Sequence, residues 1–279
     1  MTRLGWLAIG LAALASSAAN ARPLDEVTEA KSLRVIAYYD NAPFSWEDGG
    51  KTKGIDVDLA RAIARELGVD SEVLLRVQGE KEDDDLRANV WKGPLTGGGV
   101  GDIMMHVPVD KDFALRNKEA VIGNPYYQER VAVAIHPELT GDNPTFDVFK
   151  DKQISVQIGT VADYFLMTYQ DGVLIDKIAH HVKPDAGAKE FVAKESAAWM
   201  GVRSAIEAKL HDNGQKATFV EPSMDGIVRS KWIVGMAWKE NSRDLGYAIE
   251  AALEKIRSSG ELERIFASYG VSYTAPPID

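Results

Sequence analysis

The chain has 279 residues, a formal net charge of −10 and no cysteine. Disulfides and thiol chemistry are thereby excluded, and so acidic a surface argues against a nucleic-acid partner. Its length suits one large or two modest domains, and 6 Trp and 9 Tyr allow substantial cores.

Residues 1–3 are a short basic start, 4–14 an apolar run, and Ala19-Asn20-Ala21 a small-x-small cleavage site. Residues 1–21 are expected to be a signal peptide, with the mature chain beginning at Arg22 in a periplasm. The apolar run is shorter than the roughly 20 residues of a spanning helix, and nothing downstream approaches that length. The protein is therefore not expected to be membrane-embedded. No cysteine near the cleavage site offers a lipid attachment point, which disfavours a lipoprotein.

The run 33–38 (LRVIAY) predicts a buried strand, followed by a turn at Asn41-Ala42-Pro43-Phe44. Gly54 opens an amphipathic helix with Leu59, Ile63 and Leu67 at helical spacing and Gly68 as its stop. Residues 71–77 are the next strand, giving the strand-helix-strand unit of a parallel sheet. An acidic loop at 79–85 leads into 86–91, and Gly97-Gly98-Gly99 connects to a strand through Ile103, Met104 and Met105. That strand is apolar throughout, as in sheets covered on both faces, and ligands bind beyond the carboxyl ends of such strands. Chemistry is therefore expected just after His106. A short helix follows, and then Pro125-Tyr126-Tyr127.

Residues 131–135 (VAVAI) read as a crossover, broken by His136-Pro137. A second α/β pattern follows: strands at 154–159, 197–202 and 217–220, and helices at 160–169, 186–195 and 204–210. Residues 233–238 return, and helices at 243–256 and 261–269 close the chain. The expected organisation is lobe I from 22–133 and 234–279, and lobe II from 134–233.

The segments LRVIAYYDNAPFSW, KGIDVDLARAIARELG, GDIMMH, NPYYQERVAVAI, ISVQIGTVADYF, VGMAWKENSRDL and SSGELERIFASYG stand in this order. Together they resemble the bacterial extracellular solute-binding proteins of family 3, the amino-acid receptors of ABC importers. The resemblance implies an α/β, two-lobed periplasmic binding protein of type II, with two hinge crossovers and a ligand cleft between the lobes. It places Tyr38 where the family has a polar or acidic residue after the first strand, and Asn41 where an aromatic packs on the ligand. It makes Arg116 the clamp for a ligand carboxylate and Gly159-Thr160 a helix end whose N–H groups hold an anion. The family's threonine-rich turn is replaced by His106-Val107-Pro108-Val109-Asp110. The aspartate that pairs with a ligand ammonium is replaced by Val202 or Arg203, which argues against an ordinary α-amino acid, since a buried unpaired ammonium is costly. The D-[IV]-M-x-x-V-P run and the Pro-Tyr-Tyr motif also look like the J-type (MxaJ/XoxJ) periplasmic proteins encoded with PQQ-dependent methanol dehydrogenases.

The expected ligand-binding residues are Tyr38, Asn41, His106, Asp110, Arg116, Gln157, Thr160 and Arg203. Each has a plainer reading beside it. His106 is equally a histidine satisfied by backbone carbonyls, Arg116 a surface ion pair with Asp110 or Asp112, and Phe44 loop packing. Trp199 fits either core or cleft. The 80–85 run lacks the spacing of a calcium loop and reads as a solvated helix entry. No metal, cofactor or catalytic motif is recognised. The expectation is a non-enzymatic monomer binding a small polar or anionic solute for an ABC permease. The alternative is an accessory protein of a periplasmic quinoprotein dehydrogenase and its cytochrome c. A third reading, a catalytic relative such as a cyclohexadienyl dehydratase, lacks a recognisable acid/base pair.

Overall fold

The computed structural model is described over residues 21–95, 97–221, 223–224 and 229–277. Residues 1–20 of the expected signal peptide lie outside the described residues. In chain order, α1 (Leu24–Ala30) leads into β1 (Ser32–Tyr38), the hairpin β2 (Trp46–Asp48) and β3 (Lys51–Lys53), α2 (Ile55–Leu67) and β4 (Asp70–Arg76). Then come α3 (Glu82–Leu86), β5 (Ile103–Pro108), α4 (Lys111–Arg116), the long β6 (Ala120–Ile135) and α5 (Pro137–Thr140). The remaining elements are β7 (Ile154–Gln157), α6 (Val161–Thr168), β8 (Ile178–His181), α7 (Pro184–Val192), β9 (Ala198–Val202), α8 (Arg203–Asp212), β10 (Thr218–Val220), β11 (Lys231–Lys239), α9 (Arg243–Ser258) and α10 (Glu261–Ser268).

The strands join in the order β4-β1-β5-β11-β6-β9-β7-β8, with β10 also pairing β6. On the first side β1 is parallel to β4 and β5; on the second β7 is parallel to β8 and β9. Strand β6 serves both sides. Residues 120–130 pair with β11, and residues 131–135 pair with β9. The hydrogen-bonded network is therefore continuous through β6, while its apolar packing is divided. One pair of core clusters draws on residues 27–127 and 234–271 with Ala208, the other on residues 131–224. Trp232 packs against a cluster of each pair.

Local sequence explains most of these elements. Helix α2 buries Val57, Leu59, Ala60, Ile63 and Ala64 on one side, and its acidic Asp56 and Asp58 sit in the first turn, where the helix dipole favours negative charge. Gly54 is demanded there. Its φ is 129°, and a Cβ would lie 2.1 Å from the Phe44 carbonyl oxygen. The acidic run expected as a loop folds in part as α3, since four acidic residues in a first turn complement the helix dipole.

The sheet is irregular where β5, β11 and β6 meet at Gly235. Gly235 pairs with Val107 and Ala237 with Met104, so Met105 and His106 together face the single residue Met236. On the other side Val234 pairs with Tyr127 and Met236 with Gly123, leaving Asn124, Pro125 and Tyr126 opposite Gly235. Pro125, which has no N–H to give a ladder, thus sits where the register skips. A Cβ on Gly235 would lie 2.5 Å from the Gly123 oxygen and 2.6 Å from Val109 Cγ2. His106 takes φ 60° at this bulge, inside β5 and not after it. Left-handed backbone at a non-glycine residue costs about 1–2 kcal/mol, and bulges of this kind re-aim side chains.

Candidate ligand-binding cleft

A cleft of about 650 Å³ opens where the carboxyl ends of β1 and β5 meet α4, α6 and β11. That volume is in the range of small-molecule sites, about 300–1,000 Å³. Tyr38, Asn41, His106, Asp110 and Arg116 all border it. Gln157, Thr160 and Arg203 do not line it, and Val161 of α6 stands there instead.

Tyr38 ends β1 and presents its ring, because its hydroxyl turns away and donates to Asp85 Oδ2 at 2.9 Å. Burial and the Asp85 charge push this phenol well above its ordinary range. Asp85 is itself buried and also accepts from the Gly79 N–H at 2.8 Å, so this member of the acidic run is not solvated.

The turn after β1 is closed by the Asn41 carbonyl, which accepts from the N–H groups of Phe44 and Ser45 at 2.8 and 3.0 Å. Among the described residues, the buried Asn41 Nδ2 has no hydrogen-bond partner. Phe44 is core, as its packing reading required: it is 3% exposed, and its ring centroid lies 4.3 Å from that of His106 and 5.9 Å from that of Tyr127.

His106 borders the cleft with its side chain 19% exposed. Backbone carbonyls do not satisfy its Nδ1. That atom lies 3.3 Å from Oδ2 of the fully buried Asp56, but without hydrogen-bond alignment, so neither atom has a directed partner among the described residues. The other Asp56 oxygen accepts from the Tyr126 hydroxyl at 2.6 Å, and that hydroxyl accepts from the His106 N–H at 3.2 Å. Burial and Asp56 drive the Tyr126 phenol far upward, so it is a fixed donor.

Asp110 caps α4 by accepting from Phe113 N at 2.9 Å and is paired with Arg229 Nη1 at 2.8 Å. The Arg229 hydrogen bond, helped by Phe113, holds its carboxyl below the ordinary range. Arg116 is 58% exposed, lies 3.8 Å from Asp83 Oδ1 and stands 5.6 Å over the Phe113 ring. Its ionic neighbour is therefore Asp83 and not Asp110 or Asp112.

The other three expected residues serve their own half. Thr160 caps α6, accepting from Asp163 N at 3.2 Å and donating to the Gln157 carbonyl at 2.8 Å. The Gly159 N–H, expected to meet an external anion, donates to Asp163 Oδ2 at 2.8 Å. The Thr160-x-x-Asp163 pattern is a capping signature legible in the sequence. Arg203 donates to Glu207 at 2.9 Å and Glu221 at 3.2 Å and lies 4.9 Å over the Phe219 ring. Its charge is thereby neutralised away from the cleft. Trp199 is core at 3% exposure.

Sequence reasoning did not single out Asp56, Asp85 or Tyr126 as supports of the cleft wall. Asp56 reads locally as a first-turn helix acid, and nothing in its neighbourhood announces a partner 50 residues on. Among the described residues no group of three or more histidine and acidic side chains has metal-holding geometry, and no helix is long and apolar enough to cross a membrane.

Comparison with known proteins agrees with this architecture. The family model for bacterial extracellular solute-binding proteins, family 3, matches residues 33–82. The chain is 23% identical over 268 residues to the L-cystine-binding protein TcyJ of Escherichia coli (strain K12), covering 94% of this chain and 92% of that protein. It is 24% identical to a probable histidine-binding protein of Neisseria gonorrhoeae, with coverage of 95% and 94%. In structure it is similar to a polar amino acid ABC uptake transporter substrate-binding protein from Streptococcus thermophilus, with a TM-score of 0.71, 15% identity and 90% coverage of each chain. Residues 33–82 thus carry the sequence pattern of the family 3 extracellular solute-binding proteins, which are binding proteins and not enzymes, and the chain as a whole has the fold of amino-acid-binding receptors.

Proposed function

We propose that the chain is a periplasmic solute receptor that presents a small polar or anionic solute, other than an ordinary amino acid, to an ABC importer. Residues 22–133 and 234–279 form lobe I and residues 134–233 lobe II, with β6 and β11 as the hinge crossovers and residues 1–21 as the removable export signal. The divided cores and the cleft of about 650 Å³ support this reading. Amino acids are named for the relatives, L-cystine for one and histidine for another. For this chain the observation that weighs most is the residue after β9. It is Arg203, tied to Glu207 and Glu221, so no carboxylate stands there for a ligand ammonium, and Asp110 is engaged by Arg229. Leaving a buried ammonium unpaired costs several kcal/mol, roughly a thousandfold or more in affinity. Calorimetry against the common L-amino acids is the test. None is expected to bind at micromolar concentration, and tight binding of any one would overturn the specificity.

The accessory reading has one observation in its favour. Apolar side chains stand exposed just beyond the strand ends, Tyr39 (49%) and Val77 (80%) after β1 and β4, Ile158 (54%) and Val182 (78%) after β7 and β8. Exposed apolar surface of this kind suits a protein partner. Co-purification with a periplasmic quinoprotein dehydrogenase or its cytochrome c is expected only under that reading.

A further inference from the structure

Asp56, His106 and Tyr126 converge from α2, β5 and β6 on one point of the cleft wall, and a backbone bulge with φ 60° is what turns His106 toward it. Asp56 is 0% exposed, and its Oδ2 has no directed donor among the described residues. A buried carboxylate in that state needs a nearby positive charge. The imidazole 3.3 Å away is the group placed to supply one when it gains a proton, and Glu129 of β6, whose carboxyl burial pushes up, is a second buried carboxylate on which a charged imidazole would act. With the Nδ1 edge turned to Asp56, the Nε2 edge is left toward the cleft. The same wall carries Asn41, whose turn holds Phe44 against the His106 ring. A donor edge left at the cleft asks for an acceptor. The charged groups elsewhere on the lining are Glu82, Asp112 and Arg116, and the pair Asp110–Arg229.

We propose, resting on the receptor reading above, that His106 binds a carboxylate of the ligand and takes up a proton as it does so, with Asp56 and Tyr126 as the positioning residues that hold the resulting imidazolium. The proton comes from solvent onto the imidazole, and the imidazolium then donates from Nε2 to the carboxylate. Nothing is oxidised and no other bond is made. The ligand class that follows is a small organic acid without an ammonium group. Binding that requires a protonated histidine weakens as pH rises through the histidine range.

The test is calorimetry of the processed chain with succinate, malonate and citrate at pH 6 and pH 8, each in two buffers of different ionisation enthalpy, and with L-serine and glucose as non-anionic probes. At least one of the three acids is expected to bind tenfold or more tighter at pH 6, with proton uptake measurable near neutrality. His106→Gln is expected to abolish the uptake and cost tenfold or more at pH 6. Tyr126→Phe keeps the imidazole but loosens Asp56, so it is expected to shift the midpoint of the pH profile while retaining binding, which a merely structural role would not do. Thermal melts of both variants establish that they are folded. Equal affinity at both pH values, or unchanged binding by a folded His106→Gln, would overturn the inference and leave the receptor reading standing. Binding of glucose with no acid bound would do the same, whereas tight binding of serine would overturn the inference and the specificity of the receptor reading together. If none of these probes binds and a periplasmic small-molecule extract also fails to stabilise the protein, both readings fall together.

Discussion

On the wall built from β1, β5 and α2, two side chains that border the cleft each have a buried carboxylate behind them, Asp85 behind Tyr38 and Asp56 behind His106. Around β7, β9, α6 and α8 the charges are engaged away from the cleft. Asp163 takes the Gly159 N–H and lies 2.9 Å from His180 Nε2, and Arg203 is divided between Glu207 and Glu221. Both arrangements engage buried carboxylates, but of the two only the first brings a histidine to the border of the cleft. Most polar side chains that border the cleft therefore come from the first half, and of β7, β9, α6 and α8 only α6 reaches it, through the apolar Val161.

The sharpest way to break this contrast is to remove one carboxylate from each side. Asp56→Ala strips the Tyr126 hydroxyl of its acceptor and His106 of its counter-charge, all in buried surroundings, and is expected to cost about 3 kcal/mol. Asp163→Ala removes a helix-end contact and the carboxylate beside a partly exposed His180, and is expected to cost about 1–2 kcal/mol. Urea unfolding of both variants gives the comparison. If the two costs are equal, Asp56 is an ordinary structural acid and the asymmetry of the walls has no energetic basis. Ligand binding should separate them further, lost in the first variant and retained in the second.

Tyr38 tests the same wall with a smaller effect. Tyr38→Phe leaves Asp85 Oδ2 without its donor and is expected to cost about 1–2 kcal/mol at neutral pH. Burial and Asp85 raise the folded phenol above the unfolded value of about 10. The folded state therefore holds a proton that the unfolded state has released, so the contribution is complete below about pH 10 and is lost as pH rises beyond it. Unfolding followed from pH 8 to pH 11 should show stability falling in the native protein and falling less steeply in Tyr38→Phe. Parallel slopes would mean that this phenol is not held by Asp85.

How far the sequence carried differed between the walls for a physical reason. Strands β1 and β5 and helix α2 were legible because an apolar run or a helical stripe is a local property, and the cleft-bordering positions Tyr38, His106 and Asp110 follow once a strand end is located. What stands behind them was not legible. Asp56 of α2 and Tyr126 of β6 meet beside the register shift around Gly235, and register is set by tertiary packing. Arg203 failed in the opposite direction. Its position after β9 was readable, but its partner Glu221 lies beyond an intervening helix and strand, so its charge looked free when it is not. Thr160 is a different case, since the capping pair with Asp163 was written three residues along and outweighs the external anion that a bare helix end would suggest.

The smallest expected effect concerns the chain's beginning, which packs at the amino ends of β1 and β5, opposite the cleft. Arg22 is held by Asp102, whose side chain is 0% exposed: the guanidinium reaches both carboxylate oxygens, at 3.0 and 2.6 Å, and the Arg22 backbone nitrogen lies 3.2 Å from Oδ1. Asp102 also accepts from the Arg34 N–H at 2.8 Å, which fixes it in the sheet. If export processing ends at Ala21, as the small-x-small pattern suggests, that nitrogen becomes an ammonium and its contact with Asp102 becomes an ion pair. Hydrogen bonds to charged groups are worth more than neutral ones, so the processed chain is expected to be about 1 kcal/mol more stable at pH 7 than the same chain acetylated at Arg22. The advantage should vanish near pH 10, where a terminal amine of ordinary pKa near 8 has lost its charge. Intact mass of periplasmic material fixes the first residue, and paired unfolding curves at the two pH values measure the rest. A mature chain starting elsewhere, or an acetylated form equally stable at pH 7, would reduce the Asp102 contact to a neutral hydrogen bond and detach it from processing.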